Sequence, residues 1–201
     1  MIGAGRTRVL GLTGSVGMGK TTAAAMLERM GVPVFAADAY VHHLLGQGGA
    51  LATEIEHTFP GTTKGGIVAR AKLAKAVFGD QVALSRLEAI LHPRVRAAEM
   101  AFIRRQNLIR TKLCVLEIPL LFETQAERLC DAVTVLTAPA FVQETRVMAR
   151  PGMTRVRLEV MRARQMTEVE KAARADFLIA TGLGRRHTWR ALRAIVRTLT
   201  G

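Results

Sequence analysis

At 201 residues the chain has room for one large domain, or one domain with small insertions, and its 49% hydrophobic content excludes an intrinsically disordered chain. No run approaches the length of a membrane span and residues 1–8 lack the apolar core of a signal peptide, so a cytoplasmic protein without membrane contact is expected. A net charge of +13 attracts polyanions, yet one Trp, one Tyr and seven Phe, most of them in apolar segments, leave little for base stacking, so no nucleic-acid partner is expected.

The excess of Lys and Arg gathers from residue 141 onward, which suits either a phosphate-rich small substrate or a solvated basic face. Cys114 and Cys130 read as buried thiols rather than a disulfide.

The first element is the apolar run Arg8 to Thr13, followed by Gly14-Ser15-Val16-Gly17-Met18-Gly19-Lys20-Thr21-Thr22 and the helix-forming Ala23-Ala24-Ala25-Met26-Leu27. Gly14 to Thr21 fits G-x-x-x-x-G-K-[ST], in which glycines let backbone N–H groups turn inward around phosphate oxygens. Lys20 would reach the β/γ-phosphates, Thr21 would offer its hydroxyl to Mg²⁺, and the helix N-terminus would face the same anion. The setting, strand before and helix after, is the one that distinguishes this motif from a glycine-rich turn with a helix cap. A nucleoside triphosphate is therefore expected here.

Further strand-like runs follow at Pro33 to Ala37, Lys112 to Ile118, Ala132 to Thr137 and Phe177 to Ala180, each separated by helical patterning. Continuous rather than alternating hydrophobicity suits strands covered on both faces, so a three-layer α/β domain with a parallel sheet is expected. The second strand would deliver Asp38 to the ligand-binding edge of the sheet. There Asp38 could accept a hydroxyl proton or hold a water on Mg²⁺, or it could simply cap the helix that follows. His42 and His43 have no partners at metal-ligand spacing and read as surface or packing residues.

About 75 residues separate the second and third strands, more than a simple crossover needs, and they read as a mostly helical insertion. Loops are expected at Gly46 to Gly49 and Thr58 to Gly66, and helices at Arg70 to Phe78 and from Gln81 to about Arg110. His92-Pro93 falls inside the latter, where Pro should kink the helix or begin a new one. Glu117 ends the third strand, where it could assist a metal or serve as a cap or surface acid; Glu123 reads as a surface acid or cap.

After the fourth strand, Gln143, Arg146 and Arg150 share one helical face, and Arg155, Arg157, Arg162 and Arg164 follow across Pro151-Gly152. These describe either an arginine-bearing flap over a triphosphate or an exposed basic helix pair; the flap is favoured for Arg146 and Arg150. The stretch after the last strand, to Gly182, would bring backbone groups to a nucleotide base, and Arg186 to Leu199 forms an amphipathic helix with Trp189 in the core.

Several of these pieces together resemble the dephospho-CoA kinase family: Gly11-Leu12-Thr13-Gly14 with the loop through Thr22, Ala37-Asp38, Leu87-Glu88 with His92-Pro93, Pro119-Leu120-Leu121-Phe122-Glu123, Gln143 with Arg146 and Arg150, Gln165, and Ala175-Asp176. The resemblance runs from residue 9 to about 182, and the His-Pro and Pro-Leu-Leu-Phe-Glu pieces are its most particular parts. It implies a P-loop NTPase fold of five parallel strands in a single domain, 8–201, with core 8–45 and 112–201, a helical CoA-side insertion at about 46–111 and a lid at about 141–166. It further implies ATP-dependent phosphorylation of the ribose 3′-hydroxyl of 3′-dephospho-CoA, with Mg²⁺, by a monomer or weak homo-oligomer. Residue by residue it implies Asp38 as base, Lys20 and Arg146 as catalytic cations, Arg150 with the loop on ATP, and Asp38, Arg70 and His92 on the acceptor. Ala36 stands where the family commonly has Asp, Glu117 where it has Asp, and Thr181 where Asn is frequent.

The rival readings are a P-loop kinase of another small hydroxyl or nucleoside monophosphate, a nucleotide-switched binding protein, and an RNA-binding module. The second lacks an Asn-Lys-x-Asp base-reading motif and an Asp-x-x-Gly switch.

Overall fold

Five of the six residues in Arg8–Thr13 (β1) are buried, as are all five of Leu113–Glu117 (β5), because strands with helices on both faces have no solvent side to leave polar. The computed structural model describes residues 6–201. With Val34–Ala36 (β2), Ala132–Thr137 (β6) and Phe177–Ala180 (β7) these strands form a five-stranded sheet of order β2-β5-β1-β6-β7 in which every pairing is parallel. The expected sheet strands are all present, three with the bounds read from the sequence.

The chain divides into two compact units, residues 1–36 with 102–201, and residues 37–101. The second unit spans 37–101, and the insertion that the resemblance implies is set at about 46–111. In the first unit, Leu10, Leu12, Val115 and Leu136 of the sheet pack with Ala23 and Leu27 of Lys20–Arg29 (α1) and with Leu192 and Ile195 of Arg185–Thr200 (α9). Trp189 lies half-buried against the same core, as expected. Two aspartates close the sheet's starting edge: Asp131 Oδ2 accepts the Val9 N–H at 2.8 Å, and Asp176 Oδ2 accepts the Val133 N–H at 2.7 Å. Each satisfies a strand amide that the ladder leaves over.

The second unit comprises Ala37–Gly46 (α2), Ala50–Thr58 (α3), the antiparallel pair Thr63–Lys64 (β3) and Ile67–Val68 (β4), Arg70–Val77 (α4) and the first part of Gln81–Leu108 (α5). Its own core joins Leu45, Ile55, Phe59, Val68, Leu73 and Leu91. The stretch expected as a plain loop at 58–66 thus carries part of a hairpin. Glu56 braces it, accepting from the Gly61 N–H at 2.6 Å and the Thr63 hydroxyl at 2.7 Å, and these hydrogen bonds hold its carboxyl below the usual range. Pro93 begins no new helix: α5 runs through it unbroken. Its ring removes the N–H that would reach the Ala89 carbonyl, and one residue on Arg94 Nη1 donates to the Ile90 carbonyl at 2.6 Å.

The remaining elements belong to the first unit: Ala126–Leu129, a short 3₁₀ turn, and the helices Ala140–Met148 (α6), Arg155–Ala163 (α7) and Glu168–Ala173 (α8). Cys114 is buried, and desolvation pushes its thiol up to about 11; Cys130 is only half-buried, and both are free.

Candidate active site

The loop between β1 and α1 is built on backbone that only glycine adopts freely. Gly14 has φ +148° and Gly17 φ +80°. A Cβ on Gly14 would fall 2.6 Å from the Leu136 carbonyl oxygen, and one on Gly17 would fall 2.7 Å from Val147 Cγ2. Gly14→Ala should therefore cost about 3 kcal/mol from strain and clash together, read as a drop in thermal midpoint with a matching loss of nucleotide binding. A midpoint unchanged from the parent would show that the loop can relax around the methyl.

Gly19 precedes α1 without a side-chain cap, which leaves the first amides of that helix suited to an anion. Lys20 folds back across the loop, its Nζ donating to the Gly14 carbonyl at 2.7 Å and the Ser15 carbonyl at 3.2 Å. Thr21 and Thr22 stand exposed on the first turn.

The segment expected as a flap contacts this loop through Gln143, Arg146 and Gln165. Arg146 Nη1 donates to Thr181 Oγ1 at 2.9 Å and to the Gly17 carbonyl at 3.3 Å, while Nη2 donates to the Thr181 carbonyl at 3.0 Å. The Thr181 hydroxyl lies 3.0 Å from the Met18 carbonyl and 3.2 Å from the Thr137 carbonyl, so one buried threonine joins loop, sheet edge and flap. An open cleft of about 420 Å³ lies alongside, lined by Gly19, Thr22, Arg146, Arg150, Thr181 and Arg185 among others. Arg150 reaches this cleft from the turn after α6, so it does not share a helical face with Gln143 and Arg146.

Among the arginines whose role the sequence leaves open, Arg162 Nη2 donates to Gln143 Oε1 at 2.7 Å, whereas Arg155 pairs with Glu144 at the exposed surface. Gln143 Nε2 in turn donates to the Val16 carbonyl at 2.9 Å, and Gln165 Oε1 accepts the Val16 N–H at 3.2 Å. Glu117 is buried at the end of β5, which excludes the surface-acid reading. Glu123 is not a surface acid either: it pairs at 3.1 Å with the fully buried Lys171 and accepts the Met166 N–H at 2.7 Å. No sequence spacing points to that pair, since the two residues lie on different elements.

In the second unit Asp38 is exposed in the first turn of α2, inside the helix rather than at its cap, because the helix already begins at Ala37. One turn on, the exposed His42 lies on the same face, and Arg70 Nη1 lies against both of its ring nitrogens, 2.6 Å from Nε2. His42 stands at the surface, as the sequence reading has it, and there it is the immediate partner of Arg70. His92 is exposed on α5, and among the described residues no hydrogen bond ties it to that pair.

A metal would have to be held by oxygen. Among the described residues no cluster of three His, Cys, Asp or Glu exists, and the loop offers the Thr21 hydroxyl beside an anion cradle. That donor set fits a hard cation that keeps waters and takes the rest of its ligands from phosphates, as Mg²⁺ does.

A parallel sheet, a glycine loop opening a helix, a lysine inside that loop and an arginine flap define a P-loop phosphotransferase. The crystal structure of TT1252 from Thermus thermophilus is similar over 98% of this chain and 100% of its own, with a TM-score of 0.78 and 34% identity. A family model for dephospho-CoA kinase matches residues 8–183. The dephospho-CoA kinase of Paramagnetospirillum magneticum is 57% identical over 164 residues, 82% of this chain and 77% of that protein; that of Brucella melitensis is 49% identical over 193 residues, 96% of each. The chain belongs to the dephospho-CoA kinase family, and it is a kinase.

Proposed function

We propose that the chain transfers the γ-phosphoryl group of ATP to the ribose 3′-hydroxyl of 3′-dephospho-CoA, giving CoA and ADP in the last step of coenzyme A synthesis. The observation that carries this reading is the amide-lined loop with Lys20 folded into it, in a chain whose match to the family model covers residues 8–183.

Each residue has a stated task. The loop from Gly14 to Thr22 binds the phosphates through backbone N–H groups, and Lys20 leaves its two carbonyl partners for the β/γ-oxygens as charge builds there. Arg146 and Arg150 bound the cleft that takes the nucleotide, and their cations offset charge on the transferring group. Asp38 accepts the proton of the 3′-hydroxyl as its oxygen attacks phosphorus and the bond to the β-phosphate oxygen breaks. Arg70 and His92 bind the acceptor. Thr21 would hold Mg²⁺, which when bound supplies charge neutralisation between the β- and γ-phosphates.

On the same reading the enzyme works as a monomer or weak homo-oligomer in the cytoplasm, without nucleic acid. Among the described residues no helix is long and apolar enough to cross a membrane.

Incubation with ATP, Mg²⁺ and dephospho-CoA, followed by mass analysis, should give a product heavier by one phosphoryl group at the ribose. The same assay offers other small alcohols and nucleoside monophosphates in parallel. Turnover of one of those with none of dephospho-CoA would replace the acceptor and leave the phosphotransferase standing.

A further inference from the structure

We infer that Glu123 is a positioning residue for phosphoryl transfer: through Met166 and Gln165 it fixes the Val16 peptide of the phosphate loop. The inference rests on ATP occupying that loop.

Val16 is held from both sides. Its carbonyl accepts from Gln143 Nε2 at 2.9 Å and its N–H donates to Gln165 Oε1 at 3.2 Å. Its side chain packs in a small apolar cluster with Val147, Leu158 and Met153 of the flap. Gln165 thereby pins the Ser15–Val16 peptide plane and Gln143 the Val16–Gly17 plane, so the turn that aims the neighbouring amides inward is preset.

Gln143 sits within α6, where the helix backbone fixes it. Gln165 lies between α7 and α8, where its N–H donates to the Arg162 carbonyl at 3.0 Å as α7 ends. Beyond that bond the connection is held by Glu123. Its Oε1 accepts the Met166 N–H at 2.7 Å, one residue from Gln165, and the same carboxylate stands 3.1 Å from Lys171 Nζ on α8. Glu123 follows Leu121 and Phe122, both buried, in the turn after β5, so the anchor is tied to the core. The path is continuous: Glu123, Met166, Gln165, Val16.

Substituting Glu123 alone would strand the buried Lys171 cation and unfold the flap, so charge and acceptor must be separated. In E123Q/K171M both charges go but a carbonyl acceptor for Met166 remains. In E123L/K171M the acceptor goes as well, at similar volume. The first should keep kcat/KM for ATP within about threefold of the parent. The second should lie at least tenfold below the first, with KM for dephospho-CoA and thermal midpoint matching between the two. Equal kinetics in the two double variants would overturn the inference. Gln165→Leu in the native Glu123 and Lys171 background should by itself reproduce the tenfold loss, and parental kcat/KM for ATP there would overturn it however the double variants fold. Adding Gln165→Leu to E123L/K171M should cost little more, because both act on one link; a full second tenfold loss would show separate routes and sink the path through Gln165. Parental protein that makes no CoA from ATP at all would instead defeat the activity on which the inference rests.

Discussion

Lys20→Met should lower kcat by about 10²- to 10³-fold, with the fold intact. The lysine is half-buried, and its Nζ sits among loop carbonyls, 2.7 Å from that of Gly14 and 3.2 Å from that of Ser15. Its charge is therefore already inside the anion cradle before substrate arrives and needs no long excursion to meet a phosphate. Removing one preorganised donor from such a site costs about 3–4 kcal/mol of transition-state stabilisation, which sets the range. Met keeps the apolar length of the stem and forfeits only the ammonium group, so the thermal midpoint should move little. Single-turnover measurement of the chemical step, with nucleotide binding followed separately, checks this. A chemical step within tenfold of the parent would mean that the backbone amides and flap arginines neutralise the developing charge without Lys20.

Asp38→Asn should reduce turnover by about two orders of magnitude or more and leave ATP affinity nearly unchanged. Asn retains the shape of Asp and is equally acceptable at the start of a helix, so α2 should form as before; the lost attraction between the carboxylate and the helix N-terminus amounts to about 0.5 kcal/mol for an exposed group. What Asn lacks is a site for the proton of the acceptor hydroxyl. KM for dephospho-CoA should stay within about threefold, because the amide can still hydrogen-bond that hydroxyl. Turnover comparable to the parent would remove Asp38 from the proton-transfer step and turn attention to Glu117, buried at the end of β5. The two substitutions also separate the reacting partners, since Lys20 serves the triphosphate and Asp38 the sugar oxygen.

Much of the fold could be read along the chain because the signals are local. A strand buried on both faces must be apolar at consecutive positions, and Arg8–Thr13 and Ala132–Thr137 carry that mark; Phe177–Ala180 is as apolar although, at the edge of the sheet, its Leu178 stands exposed. The phosphate loop was legible for a similar reason: Gly14 and Gly17 occupy positive φ, and the lysine and threonine that follow are contiguous with them. Of the two alternatives at Pro93, a new helix is not the one taken: a long helix packed along one side tolerates one missing hydrogen bond, with the continuous apolar face through Leu87, Ile90 and Leu91 outweighing the local penalty. The short hairpin at 63–68 escaped notice because its strands, two residues each, have no periodicity to detect.

The amino-acid sequence by itself determined the parallel sheet, the anion cradle and the residue types available for phosphoryl transfer, because each depends on residues next to one another or repeated at a fixed interval. Only the tertiary structure decided which polar side chains meet. Gln165 reaches Val16 across 149 residues, Arg146 finds Thr181 across 35, Arg70 finds His42 across 28, and Glu123 meets Lys171 on another element. Such pairs leave no mark on the chain, since a glutamine or a glutamate reads as ordinary surface until folding removes the water around it and makes an unmet hydrogen bond or charge expensive, and a surface pair such as Arg70 with His42 has no spacing to announce it.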